Sequence, residues 1–155
     1  MEAGSFSSRK CLILTIIFLL TACGSPKVKV NVAADQALNQ DNQQRSLPVV
    51  VRVYQLSSKT KFEHADFKQL WKQDMALLGT ELLSREEYLI HPGEDSTLKM
   101  TKQDNVQYIG VVALFRDNVQ NHWRLLKPVS QSGLAPHFSS TMSVDVKDKS
   151  IKIAS

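Results

Sequence analysis

Lys27-Val28-Lys29-Val30-Asn31-Val32 alternates polar and apolar side chains without a break, and Val49-Val50-Val51-Arg52-Val53-Tyr54-Gln55-Leu56 follows as a β-branched run with Pro48 at its edge. Successive side chains of a strand point to opposite faces, so the first stretch reads as a half-buried strand and the second as a strand inside the fold. Working outward, strand signals recur at residues 87–90, 96–100, 106–115, 122–126, 138–146 and 151–153. They are separated by turn signals at His91-Pro92-Gly93, Gln103-Asp104-Asn105, Asp117-Asn118, Ser132-Gly133 with Pro136, and Asp148-Lys149. Phe138, Ser140, Met142, Val144 and Val146 are expected to share one face of a long strand. Between Phe62 and Leu78, apolar residues at Phe67, Leu70, Trp71, Met75 and Leu78 instead fall three and four apart. That is one face of a helix of two or three turns, capped by Asp66 and interrupted near Asp74. Trp71 lies on its apolar stripe and is expected to pack against the sandwich, and Trp123 to sit in the core. The fold class is mainly β: a two-sheet β-sandwich of about eight strands with one short inserted helix.

The stretch ahead of the first strand has a different character. Arg9-Lys10 precedes the apolar residues 12–20, and small residues lead to a cysteine, which is the layout of a secretory signal. Leu20-Thr21-Ala22-Cys23-Gly24 resembles the lipobox of bacterial lipoproteins, in which diacylglycerol is transferred to the thiol and cleavage falls just before it. Three parts are therefore expected: a signal peptide at 1–22, a lipidated anchor linker at 23–26, and a β-sandwich domain at 27–155. By analogy with lipoprotein sorting in enteric bacteria, Gly24-Ser25 after the cysteine, without aspartate at 24, implies the outer membrane. No cofactor is expected beyond the covalent diacylglycerol and N-acyl chain on Cys23.

The chain has 155 residues, 19 basic against 15 acidic side chains and a net charge of +4, with 43% hydrophobic and 22% charged residues. This is an ordinary globular balance sized for one domain. The charge is too small and too scattered to argue for nucleic acid. With Cys11 and Cys23 as the cysteines, both ahead of the fold, a disulfide scaffold and a cysteine-based zinc site are excluded. No apolar run approaches the roughly 18 residues of a membrane-spanning helix.

The inventory for catalysis is thin. His64, His91, His122 and His137 are dispersed, without the three- or four-residue spacing that sets two ligands on one helix face. No serine sits in a G-x-S-x-G elbow, and no glycine-rich phosphate loop occurs. Glu86-Glu87 point to opposite faces of a strand and do not form an acid–base pair. What stands out is the loop at 34–47. Between its end residues Ala34 and Leu47, the polar Asp35, Gln36, Asn39, Gln40, Asp41, Asn42, Gln43, Gln44 and Arg45 leave only Ala37 and Leu38 as apolar company. A polar loop of that length is either functional or a solvated connection, and its length is inexpensive to change.

A family resemblance rests on particular residues: the lipobox, the alternating first strand, Ser46-Leu47-Pro48 leading into Val51-Arg52-Val53-Tyr54-Gln55-Leu56, Phe62 with Ala65-Asp66-Phe67 and Leu70-Trp71, Leu77-Leu78-Gly79, Leu82-Leu83-Ser84, Pro92-Gly93-Glu94, and Trp123-Arg124. The combination resembles the outer-membrane lipoprotein of the bacterial type VI secretion apparatus, the TssJ family. The resemblance implies a transthyretin-like sandwich and a structural, non-enzymatic role on the inner leaflet of the outer membrane. It also implies a partner, the periplasmic C-terminal region of the large inner-membrane subunit TssM, and places the contact on the loop at 34–47. Arg45 is the residue expected to contribute most, because arginine is enriched among the few residues that dominate an interface. The rival readings are a periplasmic carrier holding a small apolar ligand between its sheets and a lipoprotein hydrolase.

Overall fold

The computed structural model describes residues 25–117, 122–130 and 138–154. The signal peptide, Cys23, the turn at Ser132-Gly133 and Pro136, Asn118 and His137 lie outside the described residues. Eight strands are present: β1 (Lys27–Ala34), β2 (Val49–Leu56), β3 (Leu82–Ile90), β4 (Asp95–Thr101), β5 (Tyr108–Leu114), β6 (Arg124–Pro128), β7 (Ser140–Lys147) and β8 (Ser150–Ile153). They form two four-stranded sheets, ordered β4-β1-β7-β8 and β3-β2-β5-β6. All neighbours are antiparallel except β1 and β7, which run parallel.

The alternation read in β1 is the alternation of burial: Val28, Val30 and Val32 are buried, with Leu98 and Met100 of β4, Met142, Val144 and Val146 of β7 and Ile151 of β8. Across from them the second sheet contributes Val49, Val51 and Val53 of β2, Ile90 of β3, and Ile109, Val111 and Ala113 of β5. These side chains fill the space between the sheets, so a ligand held there would have to displace them. Gln55 is the polar member of this layer. Its amide donates to the Thr101 carbonyl (2.8 Å) and to the Ser84 hydroxyl (3.0 Å), and its oxygen accepts from the Gln103 amide (2.8 Å), tying one sheet to the other.

β2 and β5 lack alternation because the second sheet is covered on both faces. Its outer face carries Tyr54, Leu56 and Val112, all buried beneath the segment between β2 and β3. That segment is not one helix but three: α1 (Thr60–His64), α2 (Phe67–Lys72) and α3 (Asp74–Leu78), closed by a 3₁₀ turn at Gly79–Glu81. The interruption near Asp74 is present, at Gln73, and a further break falls at Ala65, where the backbone is extended. Asp66 does cap the following helix: its carboxylate accepts from the Gln69 amide (2.7 Å), and the Gln69 side chain accepts from the Asp66 amide (2.9 Å), a reciprocal capping box.

Helices of five or six residues do not persist alone, and each leaves C-terminal carbonyls without partners. Here cationic side chains supply them. Arg124 of β6 donates to the carbonyls of Phe62, Glu63 and Ala65 at 2.6–2.7 Å. Arg52 of β2 donates to those of Leu70 and Trp71, both at 2.9 Å, and Lys61 to that of Leu78 at 3.3 Å. A cation at a helix C-terminus is also favoured by the helix dipole.

Three expectations need correction. Trp71 is 48% exposed and Met75 62% exposed, rather than packed on the sandwich. The stripe assumed one continuous helix, and the break at Gln73 resets the face, so that Leu70 and Leu78 are buried and Phe62 from α1 takes the central position. β3 begins at Leu82, well before residue 87, because its first half pairs with the end of β2. Phe138 precedes β7 and is 63% exposed instead of sharing the core face of that strand. Trp123 is buried as expected, its ring edge-to-face with Phe67 at 5.2 Å.

Phe62 rests edge-on against Tyr54 (5.5 Å between centroids) directly over Gly110, which pairs with Tyr54 in the ladder. A Cβ at residue 110 would lie 2.7 Å from the Phe62 ring. Gly110→Ala should therefore lower stability by about 1–3 kcal/mol through overpacking. Chemical denaturation checks this, and an unchanged midpoint would show that the helical segment shifts freely over the sheet.

Candidate functional site

The loop joining β1 to β2 is a built structure rather than a solvated connection. Leu38 is fully buried beneath it, and the Leu47 amide donates back to the Leu38 carbonyl at 3.0 Å, closing the loop at its neck. Beyond the neck, Asp41 organises the tip. Its carboxylate accepts from the Gln43 amide (2.8 Å), the Arg45 amide (3.0 Å) and the Arg45 guanidinium (2.7 and 2.8 Å). The Arg45 amide, then its guanidinium and the Gln43 amide, hold the Asp41 carboxyl below the usual carboxylate range. Gln44 takes a left-handed backbone (φ 58°), its amide donating to the Asp41 carbonyl, while the Gln40 side chain donates to the Gln44 carbonyl.

The nine polar residues singled out in the sequence therefore separate by role. Asn42, Gln43, Gln44 and Arg45 present their side chains outward at the tip, with the Arg45 side chain 69% exposed. Asp35 and Gln36 are exposed at the base; the Asp35 carboxylate caps the Ala37 amide, and Gln36 lies against Gly93 of the β3–β4 turn. Gln40 and Asp41 are half-buried and turned inward, serving the loop itself. Asn39, also among the candidates, is buried rather than displayed at the tip. Its side chain donates to the Pro48 carbonyl and accepts from the Arg116 amide, both at 2.9 Å, and its own amide donates to the Asp148 carbonyl at 2.7 Å. It also adopts φ 48°, a left-handed conformation that asparagine tolerates better than most residues.

Asn39 thus ties three loops together: β1–β2, β5–β6 and β7–β8. With the β3–β4 turn, whose Gly93 amide donates to the Asp35 carbonyl, they make up one end of the sandwich. Residue 25 emerges at the other end, one β1 length away. Eight residues of strand correspond to about 26 Å.

A second polar cluster lies on the outer face of the second sheet, and sequence reasoning missed it. Asp74 accepts from Tyr54 Oη (2.8 Å), Arg85 (2.8 Å), Arg52 (3.2 Å) and the Met75 amide (2.9 Å), and Arg52 also donates to Glu87 (2.7 Å). The signal available was an arginine within an apolar strand, Arg52, with no obvious counter-charge. Burial alone would raise the Asp74 carboxyl, but the hydrogen bonds from Arg85 and Tyr54, the Arg52 charge and the Met75 amide outweigh it and hold it low. Burial and the neighbouring carboxylate push the Tyr54 hydroxyl up. Asp74 is therefore charged and Tyr54 neutral near pH 7, and the cluster fastens α3 to the sheet. Glu86 and Glu87 do point apart: Glu87 pairs with Arg52, and Glu86 accepts from Tyr88 Oη. Among the described residues no group of three His, Cys, Asp or Glu converges to hold a metal ion.

The architecture is that of a two-sheet sandwich lipoprotein domain with an ordered polar loop at one end, a place where many folds carry recognition. The family model described as type VI secretion lipoprotein, VasD, EvfM, TssJ matches residues 26–149, and the chain belongs to this family. It is a family of lipoproteins, whose lipid is a covalent modification and not a bound cofactor. The crystal structure of the T6SS lipoprotein TssJ1 from Pseudomonas aeruginosa is 25% identical with a TM-score of 0.73, covering 84% of this chain and 96% of that one. Lip from Serratia marcescens, described as a membrane-bound component of the type VI secretion system, is 21% identical with a TM-score of 0.76, covering 85% and 98%. A chain of the structure described as T6SS protein TssM C-terminal domain (869-1107) from EAEC is 22% identical with a TM-score of 0.66, covering 83% and 98%. No curated protein matches the chain by sequence.

Two outcomes follow from this geometry. Asn39→Ala should cost about 1–3 kcal/mol, because it leaves the Pro48 carbonyl and the Arg116 amide without partners; an unchanged denaturation midpoint would place that junction outside the cooperative fold. For Asp74 the folded-state pKa lies below the unfolded value of about 4, so its contribution is present above that pH and is lost as pH falls through the folded value. Asp74→Asn should therefore destabilise at pH 7 and flatten the loss of stability on acidification, as read from melting temperature against pH. Parallel curves for the two proteins would remove Asp74 from that role.

Proposed function

We propose that this chain is a structural, non-catalytic lipoprotein that anchors the type VI envelope-spanning complex to the outer membrane. In this reading residues 1–22 are cleaved, Cys23 carries the acyl chains, 23–26 form the linker, and 27–155 form the domain that faces the periplasm. The partner is the periplasmic C-terminal region of a TssM-type inner-membrane subunit. Family membership supports the secretion role, and the solved structure that names the TssM C-terminal domain while containing a chain of this fold supports the partner.

The observation that carries the assignment of the contact is the placement of the β1–β2 loop. It stands at the opposite end of β1 from the lipid attachment, so a domain tethered through 23–26 presents Asn42, Gln43, Gln44 and Arg45 away from its own membrane. The tip offers amide donors and acceptors plus one guanidinium on a backbone already ordered by Asp41, so little conformational entropy is lost on binding.

The geometry changes how the loop is tested. Excising 34–47 would remove Leu38 and Asn39 and damage the fold, so the informative variant replaces Asn42, Gln43, Gln44 and Arg45 together with alanine. In calorimetric titration of the domain lacking residues 1–23 against the partner's periplasmic region, this variant should bind at least about tenfold more weakly, about 1.4 kcal/mol, with a melting temperature no lower than that of Arg45→Ala, which loses the pair with Asp41 alone. Equal affinity in the folded variant would send the contact to another surface. Cys23→Ser should fractionate as a soluble or uncleaved protein and fail to support secretion although the domain folds. Recovery of that variant as a mature outer-membrane protein would overturn the anchor.

A further inference from the structure

The end of the sandwich from which the N-terminus emerges has features that neither the core nor the β1–β2 loop uses. Phe138 projects there, 63% exposed, with its backbone fixed: Lys102 Nζ donates to its carbonyl at 2.9 Å, and the adjoining Ser139 hydroxyl accepts from the Lys27 amide at 3.0 Å. The Lys102 amide donates to the Pro26 carbonyl at 2.9 Å, so the entry of the chain and Phe138 belong to one hydrogen-bonded junction. Beside Phe138 lies an open groove of about 360 Å³, its floor formed by the buried Ile109 and Val129 and its walls by Pro128 and Phe138 together with the polar Lys127, Ser130 and residues 139–141. Lys102 is buried, its ammonium committed to the Phe138 carbonyl, whereas the half-exposed Lys27 donates to the Thr101 hydroxyl (3.1 Å) and Lys127 to the Thr141 carbonyl (2.8 Å), each ammonium keeping further donors.

Single exposed apolar residues are ordinary on a protein surface. Phe138 differs through its distance from the membrane. Three residue steps separate Cys23 from Pro26, and a fully extended chain gains at most about 3.6 Å per residue, so the junction stands within roughly 11 Å of the Cα of residue 23. The interfacial zone of one leaflet is itself about 5–7 Å deep. A tether this short holds the groove end against the headgroups at high effective concentration.

We propose that this end is a membrane-docking face, resting on the Cys23 anchor reading: Phe138 enters the headgroup–acyl boundary of the phospholipid leaflet that holds the acyl chains, while Lys27 and Lys127 meet lipid phosphates. Aromatic rings favour that boundary, and lysines close to it attract anionic lipid. Docking sets β1 upright on the membrane and directs the loop tip into the periplasm. A tether alone would leave the domain free to lie on its side.

The test uses the mature lipoprotein reconstituted in phosphatidylethanolamine–phosphatidylglycerol vesicles. Cys23 is its one cysteine and is blocked by lipid, so Ser130→Cys and Asn42→Cys each take a single spin label. The label at 130 should be shielded several-fold from a water-soluble nickel reagent and open to oxygen, and the label at 42 the reverse. Adding Phe138→Asp should restore nickel access at 130 while the protein still floats with the vesicles and melts normally. Equal access at 130 and 42, or no response to Phe138→Asp, would overturn the docking face and leave the anchor standing. Failure of the lipoprotein to float would overturn the anchor, and the docking face with it.

Discussion

An apolar outer face on the β3-β2-β5-β6 sheet has to be covered, and three helices too short to be stable alone cover it. Arg124 and Arg52 reach from the sheet to the unpartnered C-terminal carbonyls of α1 and α2, and Asp74 returns the connection from α3 to Arg52, Tyr54 and Arg85. Each guanidinium satisfies helix-terminal carbonyls, part-buried at Phe62, Ala65 and Leu70 and exposed at Glu63 and Trp71, that the short helices leave without partners of their own. Seating the helices places Phe62 over Gly110, and that contact explains why β2 and β5 read as nearly continuous apolar runs. The second sheet is the middle layer of three, whereas the β4-β1-β7-β8 sheet faces water on its outer side and alternates.

The strands were legible because their burial follows local rules. Val28, Val30 and Val32 face one way in sequence and in structure, and the turns at residues 91–94 and 148–149 fall where Pro-Gly and Asp-Lys mark them. The Asp66 cap was readable for the same reason, since its partner Gln69 is three residues away. What escaped the sequence depends on contacts distant along the chain. Trp71 and Met75 sit on a stripe whose phase holds only if the helix is unbroken, and the breaks at Ala65 and Gln73 are stabilised by arginines from β2 and β6. Phe138 has the parity of a core residue but lies before the strand that would enforce it.

The candidate loop shows the same division. Its polarity and position were visible, but not the distinction between residues that build it and residues that display it. Asn39 and Asn42 are the same amino acid three positions apart. One is buried with partners on three loops, and the other stands at the tip. Only the fold, which brings Pro48, Arg116 and Asp148 around residue 39, separates them. In the proposed reading the domain has two working ends: one held near the membrane by the linker, and one projecting an ordered polar tip about one strand length away.

The most direct test of this account is site-specific photocrosslinking in cells that assemble the secretion complex, with the photoreactive residue placed in turn at Asn42 on the loop tip, Thr97 on the open face of the first sheet, and Lys68 on α2. The account predicts an adduct with the large inner-membrane subunit from position 42 and none from 97 or 68. An adduct from 97 or 68 with none from 42 would contradict it and move the partner to a side of the sandwich.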